Sequence, residues 1–440
     1  MSEPRSAPVR FGRRRVLAAA GAATAVGLLP GCGTTALSSD GPLQVWGGVP
    51  AESGPADLIA GFKRRHPDAD VVYTRFVNDD RGNLKVDTAL QGGVDIDVYF
   101  TYTPGALALR SESGMTLDVT DRVQDDPELA PYLDRRRPRA FWSHDRIHGL
   151  ATNREPNFIL INEDRRRAAG AEIPTDWTID DFRQYAGQLS TSTSAGAYTL
   201  PDIARIALGP DYWYRSSGGS NFGDPHFLRM LQLGQQMIKS GTVFPWSEVL
   251  ARHLDVYQQN AFLTGEFAVW PTAPFNLRYL NNAEDYPHDF RVSCAPVPTV
   301  PGGGDWDTGS YSNFAMINPK SRRQDLAWEF VKYWVTEGAA AMMKAGKMPP
   351  LDTVDAETVF AGVLGDQPEK YFDVESFHRV LVQHKPKLVV DSELTAYPEI
   401  ELAFNQQRDL CWLNEKSAES AIEEARKLAD AAIHRNVGEE

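Results

Sequence analysis

The sequence predicts an α/β protein made of two lobes, each assembled from segments that are not contiguous in the chain. Strand-like and helix-like segments alternate from residue 43 to residue 100, the alternation returns with more helix in the second half, and no linker separates the halves. Alternation at this spacing requires right-handed crossovers and a parallel sheet. A chain of 440 residues is long enough for two or three domains with an ample core.

The first half opens with three short strands separated by two amphipathic helices. β-branched and aromatic residues mark the strands, and apolar residues at helical spacing mark the helices. We expect strands at 43–46, 69–76, 96–100 and 158–162, helices at 56–65 and 83–91, and a hairpin turn at 145–149. Thr178 and Asp181 form a capping box, which predicts a helix from Ile179 to Leu189.

The second half continues with three strand-like segments and two long apolar stripes. The strands are expected at 267–270, 290–295 and 313–318, and the helices at 325–344 and 417–433. Trp334 lies on the apolar face of the first of these helices, so we expect it in the core.

Residues 1–41 predict export and membrane attachment. Arg13, Arg14 and Arg15 precede an apolar run of 14 residues, which is shorter than the roughly 20 that span a bilayer. The segment 12–17 resembles a twin-arginine export motif, and 29–32 resembles a bacterial lipobox. We therefore expect a signal peptide at 1–31, lipidation of Cys32, and a polar tether at 32–41. This places the protein on the outer face of the cell membrane.

The charge and the cysteines exclude some classes of function. The formal net charge is −14, and residues 1–31 carry five arginines and one glutamate, so the mature chain is at −18. Such acidity argues against nucleic-acid binding, which favours clustered positive charge. Cys294 and Cys411 are the cysteines left after Cys32, and the sequence leaves open whether they form a disulfide.

No motif in the sequence predicts catalysis, a metal or a cofactor. The serine-hydrolase, phosphate-loop and zinc-protease patterns are absent. His144 and His148 lack a third ligand. Asp95 and Asp97 share one side of a strand, as glycosidase carboxylates can, but an aspartate at the end of a strand more often forms hydrogen bonds to the next turn.

Aromatic residues in loops predict a binding cleft. The chain has ten tryptophans and fifteen tyrosines, many at predicted strand ends beside glycine or proline. Flat rings stack against the C–H faces of sugars, and polar groups satisfy the hydroxyls. Trp46 and Trp270 are expected to supply such stacking surfaces. This combination suits a neutral polyhydroxylated ligand.

Six segments, in this order and spacing, resemble the carbohydrate-binding solute-binding lipoproteins of ABC importers, the maltose-binding-protein-like family 1. The resemblance covers nearly all of 42–435. The segments are 148–153 with 158–162, 168–170 with 173–177 and Phe182, 262–270, 295–298, 309–317 and 327–331.

The resemblance implies a two-lobed periplasmic-binding-protein-like fold with discontinuous lobes joined by crossover strands, closing on a ligand without chemistry. It implies an N-terminal lobe at 42–153 and 297–349, a C-terminal lobe at 154–296 and 350–440, ABC permease subunits as partners, and a monomer. The implied ligand-binding residues are Trp46, Glu52, Tyr102, Asn153, Arg154, Trp213, Asn221, Trp270, Phe275 and Tyr311.

Two other functions stay open at this point. A secreted glycoside hydrolase would place two carboxylates about 5 to 10 Å apart across the cleft, one of them with a raised pKa. A binding protein for a cationic solute such as a polyamine would combine an aromatic box with several acids, and the acidic composition permits it.

Overall fold

The computed structural model describes residues 41–437 apart from 136–137, 216–217, 255–257 and 392–394. Within these ranges the chain forms ten strands. They are β1 Leu43–Gly47, β2 Val71–Arg75, β3 Val98–Thr101, β4 Ala140–Ser143, β5 Arg146–Glu155, β6 Phe158–Asn162, β7 Ala195–Ala197, β8 Phe267–Thr272, β9 Val292–Ala295 and β10 Ser310–Ile317.

The same described ranges hold seventeen α-helices. They are α1 Pro55–Arg65, α2 Asp80–Gln91, α3 Pro104–Glu112, α4 Thr120–Gln124, α5 Glu163–Ala168, α6 Ile179–Leu189, α7 Ile203–Leu208, α8 Pro225–Lys239, α9 Trp246–Ala251, α10 Gln259–Leu263, α11 Leu277–Asn281, α12 Gln324–Val335, α13 Ala356–Leu364, α14 Pro368–Tyr371, α15 Val374–His378, α16 Tyr397–Trp412 and α17 Ala418–Val437. Short 3₁₀ segments lie at Ala51–Ser53, Pro127–Leu133, Gly209–Asp211, Pro274–Asn276 and Glu337–Ala345, and a π-helical turn at Arg379–Gln383.

The strands form two sheets. A six-stranded sheet has the order β2-β1-β3-β10-β5-β4, in which β1 pairs in parallel with β2 and β3. A four-stranded sheet has the order β7-β8-β6-β9, in which β7 and β8 are parallel. We call the six-stranded sheet with its helices the first lobe and the four-stranded sheet with its helices the second lobe. The mixed α/β fold with two sheets confirms the predicted fold class.

Each lobe has its own apolar core. The first lobe buries alternate residues of β10 on opposite faces of its sheet: Ala315 and Ile317 face one cluster, while Phe314 and Met316 face another. Helix α12 covers the first of these faces with Phe330 and the expected core residue Trp334, whose ring lies 4.5 Å from that of Phe100. A single larger cluster fills the second lobe.

Two crossover segments connect the sheets. The chain passes from β5 to β6 through residues 155–158, and it returns from β9 to β10 through 296–309. A Cβ at Gly309 would lie 2.0 Å from the carbonyl oxygen of Glu155, so only glycine lets the two segments approach this closely. Asp307 fastens them by accepting the backbone N–H groups of Asn157 at 2.8 Å and Gly309 at 2.6 Å.

Most predicted elements occur with small shifts of their ends. The strand at Phe158–Asn162, the helix at Ile179–Leu189 and its capping box occur as predicted. The continuous helix expected at 325–344 is wrong. Helix α12 ends at Val335, and a 3₁₀ segment follows Thr336, whose hydroxyl donates to the Lys332 carbonyl oxygen and whose backbone (φ −108°, ψ −104°) is not helical.

The predicted signal peptide, the lipobox with Cys32 and nearly all of the tether lie outside the described residues. Among the residues that are described, no helix combines the length and apolar character needed to cross a bilayer.

Candidate functional site

A cavity of about 530 Å³ opens in the second lobe where several elements converge. Its wall is formed by the segment after β7, helix α7, helix α16, the crossover residue Thr308 and Ser310, the first residue of β10. In open α/β sheets, ligands bind outside the carboxyl ends of the strands, which is where the segment after β7 lies. The volume falls within the range of small-molecule sites. We call this space the aromatic cavity.

Seven aromatic side chains line the aromatic cavity, and most of them pack against one another. The Trp213 ring is 6% exposed and meets the rings of Tyr212, Tyr397 and Phe404 edge to face at 4.4 to 6.0 Å. Such edge contacts fix the orientation of each ring. The seven are Tyr198, Tyr212, Trp213, Trp246, Tyr397, Phe404 and Trp412.

Charged groups in the cavity wall are arranged around Arg205. Its guanidinium donates to Asp391 at 2.7 Å and lies 5.3 Å from the centre of the Tyr212 ring. One oxygen of Asp202 caps helix α7 by accepting the backbone N–H of Arg205, and the other accepts the Tyr212 hydroxyl at 2.6 Å. Burial raises the pKa of Asp202, although Tyr212 and Arg205 oppose that shift. The Asp391 and Asp202 carboxylates are therefore both occupied.

A second cation of the wall, Arg408, is also held by neighbours. It donates to Asp409 at 3.0 Å, and its guanidinium lies 5.1 Å from the Trp246 ring and 5.5 Å from the Trp412 ring. Asp409 accepts the Trp246 indole N–H as well. This arrangement fixes the ring planes at that end of the cavity.

Glu401 differs from the other acids of the wall. Within the described part of the chain, its carboxylate forms no hydrogen bond and no ion pair. Burial raises its pKa, Asp391 adds to the rise, and Arg408 lowers it. Glu401 also lies near the first lobe, since a Cβ built on Gly105 in α3 would be 3.5 Å from its Oε2 atom.

A second polar group lies at the crossover between the lobes, and we call its members Asn153, Glu155, Ser312, Asn313 and Lys347 the crossover cluster. Glu155 accepts from Ser312 and Asn153 and lies 3.4 Å from the Lys347 amine. Asn313 donates to the amide oxygen of Asn153. Burial lowers the pKa of Lys347, and Glu155 partly offsets this. The members of the cluster therefore bond to one another.

The predicted residues Tyr102 and Phe275 lie beside the crossover cluster rather than on the wall of the aromatic cavity. The Tyr102 hydroxyl accepts the backbone N–H of Gly48 at 2.5 Å, and the Phe275 ring lies 4.9 Å from the Lys347 amine. Tyr102 and Lys347 line a separate space of about 10 Å³, which is room for one water molecule and too small for a sugar.

Trp270 does not lie where the sequence predicted it. It was expected to offer a stacking surface, but its side chain is 1% exposed in the middle of β8 and packs against Phe262 and Phe267. The segment around Trp270 runs on as a strand to Thr272, so the ring points into the core of the second lobe. Trp270 is removed from the candidate site.

Three other residues predicted to bind ligand, Asn221, Glu52 and Trp46, lie away from the aromatic cavity. Asn221 donates to the Asp211 carbonyl oxygen and does not line the aromatic cavity. Glu52 is exposed in a 3₁₀ segment of the first lobe. Trp46 is partly buried in β1, with the Lys85 amine 5.3 Å from its ring.

Arg154 and Tyr311 stand opposite each other in the β5–β10 ladder. The backbone of Arg154 also pairs with Met348, and Arg139 lies over the Tyr311 ring at 5.2 Å. The structure thus brings Tyr102, Asn153, Arg154, Phe275 and Tyr311 to the crossover, and it places Trp213 alone of the predicted set on the cavity wall.

Sequence reasoning missed most of the cavity. Arg205, Asp391 and Glu401 are separated by up to 196 positions and carry no motif. A partial signal was present in Tyr212-Trp213-Tyr214, where adjacent aromatic residues follow Gly209-Pro210. The acids and arginines could be found only once the chain had been folded.

The remaining chemical candidates have structural roles. Asp97 is fully buried and, with Asp95, pairs with Arg323 at 2.9 and 2.5 Å, so this carboxylate pair binds helix α12 to the sheet. Cys294 and Cys411 are buried free thiols rather than a disulfide. Among the described residues, no group of three or more potential ligands could hold a metal ion.

Two sheets joined by crossovers, with an aromatic cavity at the ends of the strands, define a two-lobed ligand-binding protein. The sequence profile of the bacterial extracellular solute-binding proteins matches residues 49–341, more than half of the chain. The chain therefore belongs to this family, which is not enzymatic. A sequence comparison with curated proteins gave no match.

Solved structures show the same fold. An ABC substrate-binding protein from Listeria monocytogenes in complex with cycloalternan is 17% identical, with a TM-score of 0.70 over 90% of this chain and 98% of that one. A sugar transporter from Rhizobium etli in an open conformation is 18% identical, with a TM-score of 0.69 over 89% and 99%. The sugar-binding protein MalE from Xanthomonas citri is 15% identical, with a TM-score of 0.66 over 90% and 98%.

Proposed function

We propose that this protein captures a carbohydrate in the aromatic cavity and delivers it to the permease of an ABC importer. The observation that carries the proposal is a 530 Å³ cavity with seven aromatic residues and several polar groups in its wall, in a member of a solute-binding family. Rings suit the C–H faces of a sugar, and carboxylates, amides and guanidinium groups suit its hydroxyls. The three structural relatives are described as a sugar transporter, a sugar-binding protein and a substrate-binding protein in complex with cycloalternan, and these descriptions agree with this class of solute.

We also propose that capture involves closure of the two lobes about the crossover segments. The lobe bounds are 42–153 with 297–349 and 154–296 with 350–440. Support comes from the cavity wall, which includes the crossover residue Thr308 and the β10 residue Ser310, and from the proximity of α3 to Glu401. Contacts that form only when both lobes touch the ligand would favour the closed state.

The test is a thermal-shift screen of the purified protein against monosaccharides and oligosaccharides, followed by calorimetry on the hits. A ligand at 100 times its Kd stabilises the folded state by about 2.7 kcal/mol. Asn405→Trp places a large ring in the cavity wall and should abolish binding. Gln406→Trp, on the exposed face of the same helix, is the control and should bind normally. Normal binding by Asn405→Trp would show that the ligand binds elsewhere.

The N-terminal sequence supports a lipid anchor on Cys32, which would hold the binding protein close to its permease on the outer face of the membrane. Cys32→Ser should release the protein into the soluble fraction without changing sugar affinity. Retention of Cys32→Ser on the membrane after a high-salt wash, with no acyl group on the wild type, would reject the anchor. Arg13→Lys combined with Arg14→Lys should block export if the twin-arginine route is used.

A further inference from the structure

The charges in the wall of the aromatic cavity do not balance. Arg205 is paired with Asp391, and Arg408 is paired with Asp409 just outside the wall. Each oxygen of Asp202 accepts one hydrogen bond. Glu401 remains as a negative group with no partner among the described residues.

An unpaired carboxylate in a partly buried wall is costly, because it loses hydration without gaining a counter-charge. Its surroundings raise rather than relieve that cost: burial and Asp391 raise the pKa of Glu401, and Arg408 offsets this only in part. Titratable groups with perturbed pKa values in clefts concentrate at functional sites, so Glu401 is a candidate for pairing with a ligand. Neutral hydroxyls can donate hydrogen bonds to Glu401, but they leave its charge in place.

The rings beside Glu401 favour the same kind of partner. Tyr397 begins the helix that carries Glu401, and Trp213 and Phe404 pack against Tyr397 or one another in the same wall. Aromatic faces attract cations, most strongly where water is excluded. A carboxylate in the same cavity wall as these aromatic rings is therefore suited to a protonated amine.

From this juxtaposition we infer that the solute is a saccharide that carries a protonated amine and that Glu401 pairs with this amine. The inference rests on the proposed function, since it specifies the class of carbohydrate that the cavity takes. Glu401 is then the residue that distinguishes an amino sugar from its neutral counterparts.

Calorimetry at pH 7 on the full chain tests the inference with matched probes. Glucose, galactose and mannose are each used in three forms, with a hydroxyl, a protonated amine or an acetamide at C2, and spermidine is added as an amine without a sugar. In at least one series the amine should bind at least about tenfold more tightly than both neutral forms, which is about 1.4 kcal/mol. Glu401→Gln should remove that preference while leaving the affinity of the neutral forms within about threefold.

Glu399→Gln is the matched control, because it removes the same charge from an exposed position two residues earlier in the same helix. It should keep the preference for the amine. Equal binding of amine and neutral forms, or an unchanged preference in Glu401→Gln, would overturn the inference. So would the absence of amine binding in all three series.

The failure of the inference can be distinguished from failure of the proposed function. Suppose that neutral sugars bind, that Asn405→Trp blocks their binding, and that no preference for the amine is seen. The inference is then wrong, and carbohydrate capture is still supported. If spermidine binds in a Glu401-dependent manner and no sugar binds, both the saccharide and the proposed function are wrong.

Discussion

The crossover cluster and the aromatic cavity are both rich in polar side chains, yet they use them in opposite ways. In the crossover cluster, Asn153, Glu155 and Lys347 are bonded to one another or to neighbouring strands. In the aromatic cavity, Glu401 belongs to the wall and has no partner in the described part of the chain. The first arrangement joins β5, β10 and Lys347 within the first lobe, whereas the second leaves bonding capacity for a ligand.

The comparison also explains why polar character alone did not locate the site. A buried polar network that satisfies itself rigidifies a fold, and one that is left incomplete is a candidate for binding. We therefore expect changes at the crossover and in the core to alter stability, and changes in the cavity to alter affinity.

The largest effect on stability is expected for Trp270→Ala. Removing this fully buried ring from the second-lobe core should cost about 3–5 kcal/mol of unfolding free energy, because the cavity left behind collapses only in part. The fraction that remains folded should bind ligand with wild-type affinity. Urea unfolding and calorimetry measure the two quantities separately, and a selective loss of affinity would return Trp270 to the binding site.

Lys347→Met tests the crossover cluster itself. Removing the amine leaves the largely buried Glu155 without its cation, so we expect a loss of about 3–5 kcal/mol. Lys344→Met is the control, because the ion pair of Lys344 with Asp57 is exposed and should contribute less than about 1 kcal/mol. If the two variants unfold alike, the cluster does not stabilise the crossover.

Asp307, between the crossover segments, predicts a pH dependence of stability. Burial raises the pKa of Asp307 to about 7, although the N–H groups of Asn157 and Gly309 lower it. The pKa of an aspartate in the unfolded chain is about 3.9, so the native state binds this proton more tightly. The contribution of protonated Asp307 to the unfolding free energy is therefore fully present below about pH 4, and it is lost as the pH rises through about 7.

Raising the pH from 5 to 8 should lower the unfolding free energy of the wild type by about 2–3 kcal/mol, because Asp307 ionises. The unfolding free energy of Asp307→Asn should not show this decrease. The measurement is the difference in unfolding free energy between wild type and variant at both pH values. A difference that stays constant would mean that Asp307 is ionised in the native protein throughout this range.

The smallest of the four effects is expected at Glu401. Without ligand at pH 7, Glu401→Gln should stabilise the protein by about 1 kcal/mol, because it removes an unpaired charge from the cavity wall. Glu399→Gln should change the stability by less than about 0.5 kcal/mol. Differential scanning calorimetry of the unliganded variants gives both values. Destabilisation by Glu401→Gln would reveal a partner for this carboxylate within the protein.

The sequence by itself determined the fold class and many of its elements. Periodicity is a local property, so the strand Phe158–Asn162, the capping box at Thr178 and the buried face carrying Trp334 could be predicted from neighbouring residues. The order of the six family-like segments indicated the family, which the match over residues 49–341 confirms.

Only the tertiary structure decided which aromatic and charged residues meet. Trp213 and Trp270 both lie close to a proline in the sequence. One nevertheless lines the cavity and the other is core, because β8 continues beyond Trp270. Arg205 and Asp391 become partners through the return of the chain into the second lobe, nearly two hundred residues later. Contacts between residues so far apart in the sequence depend on how helices and sheets pack, and they cannot be predicted from a local sequence pattern.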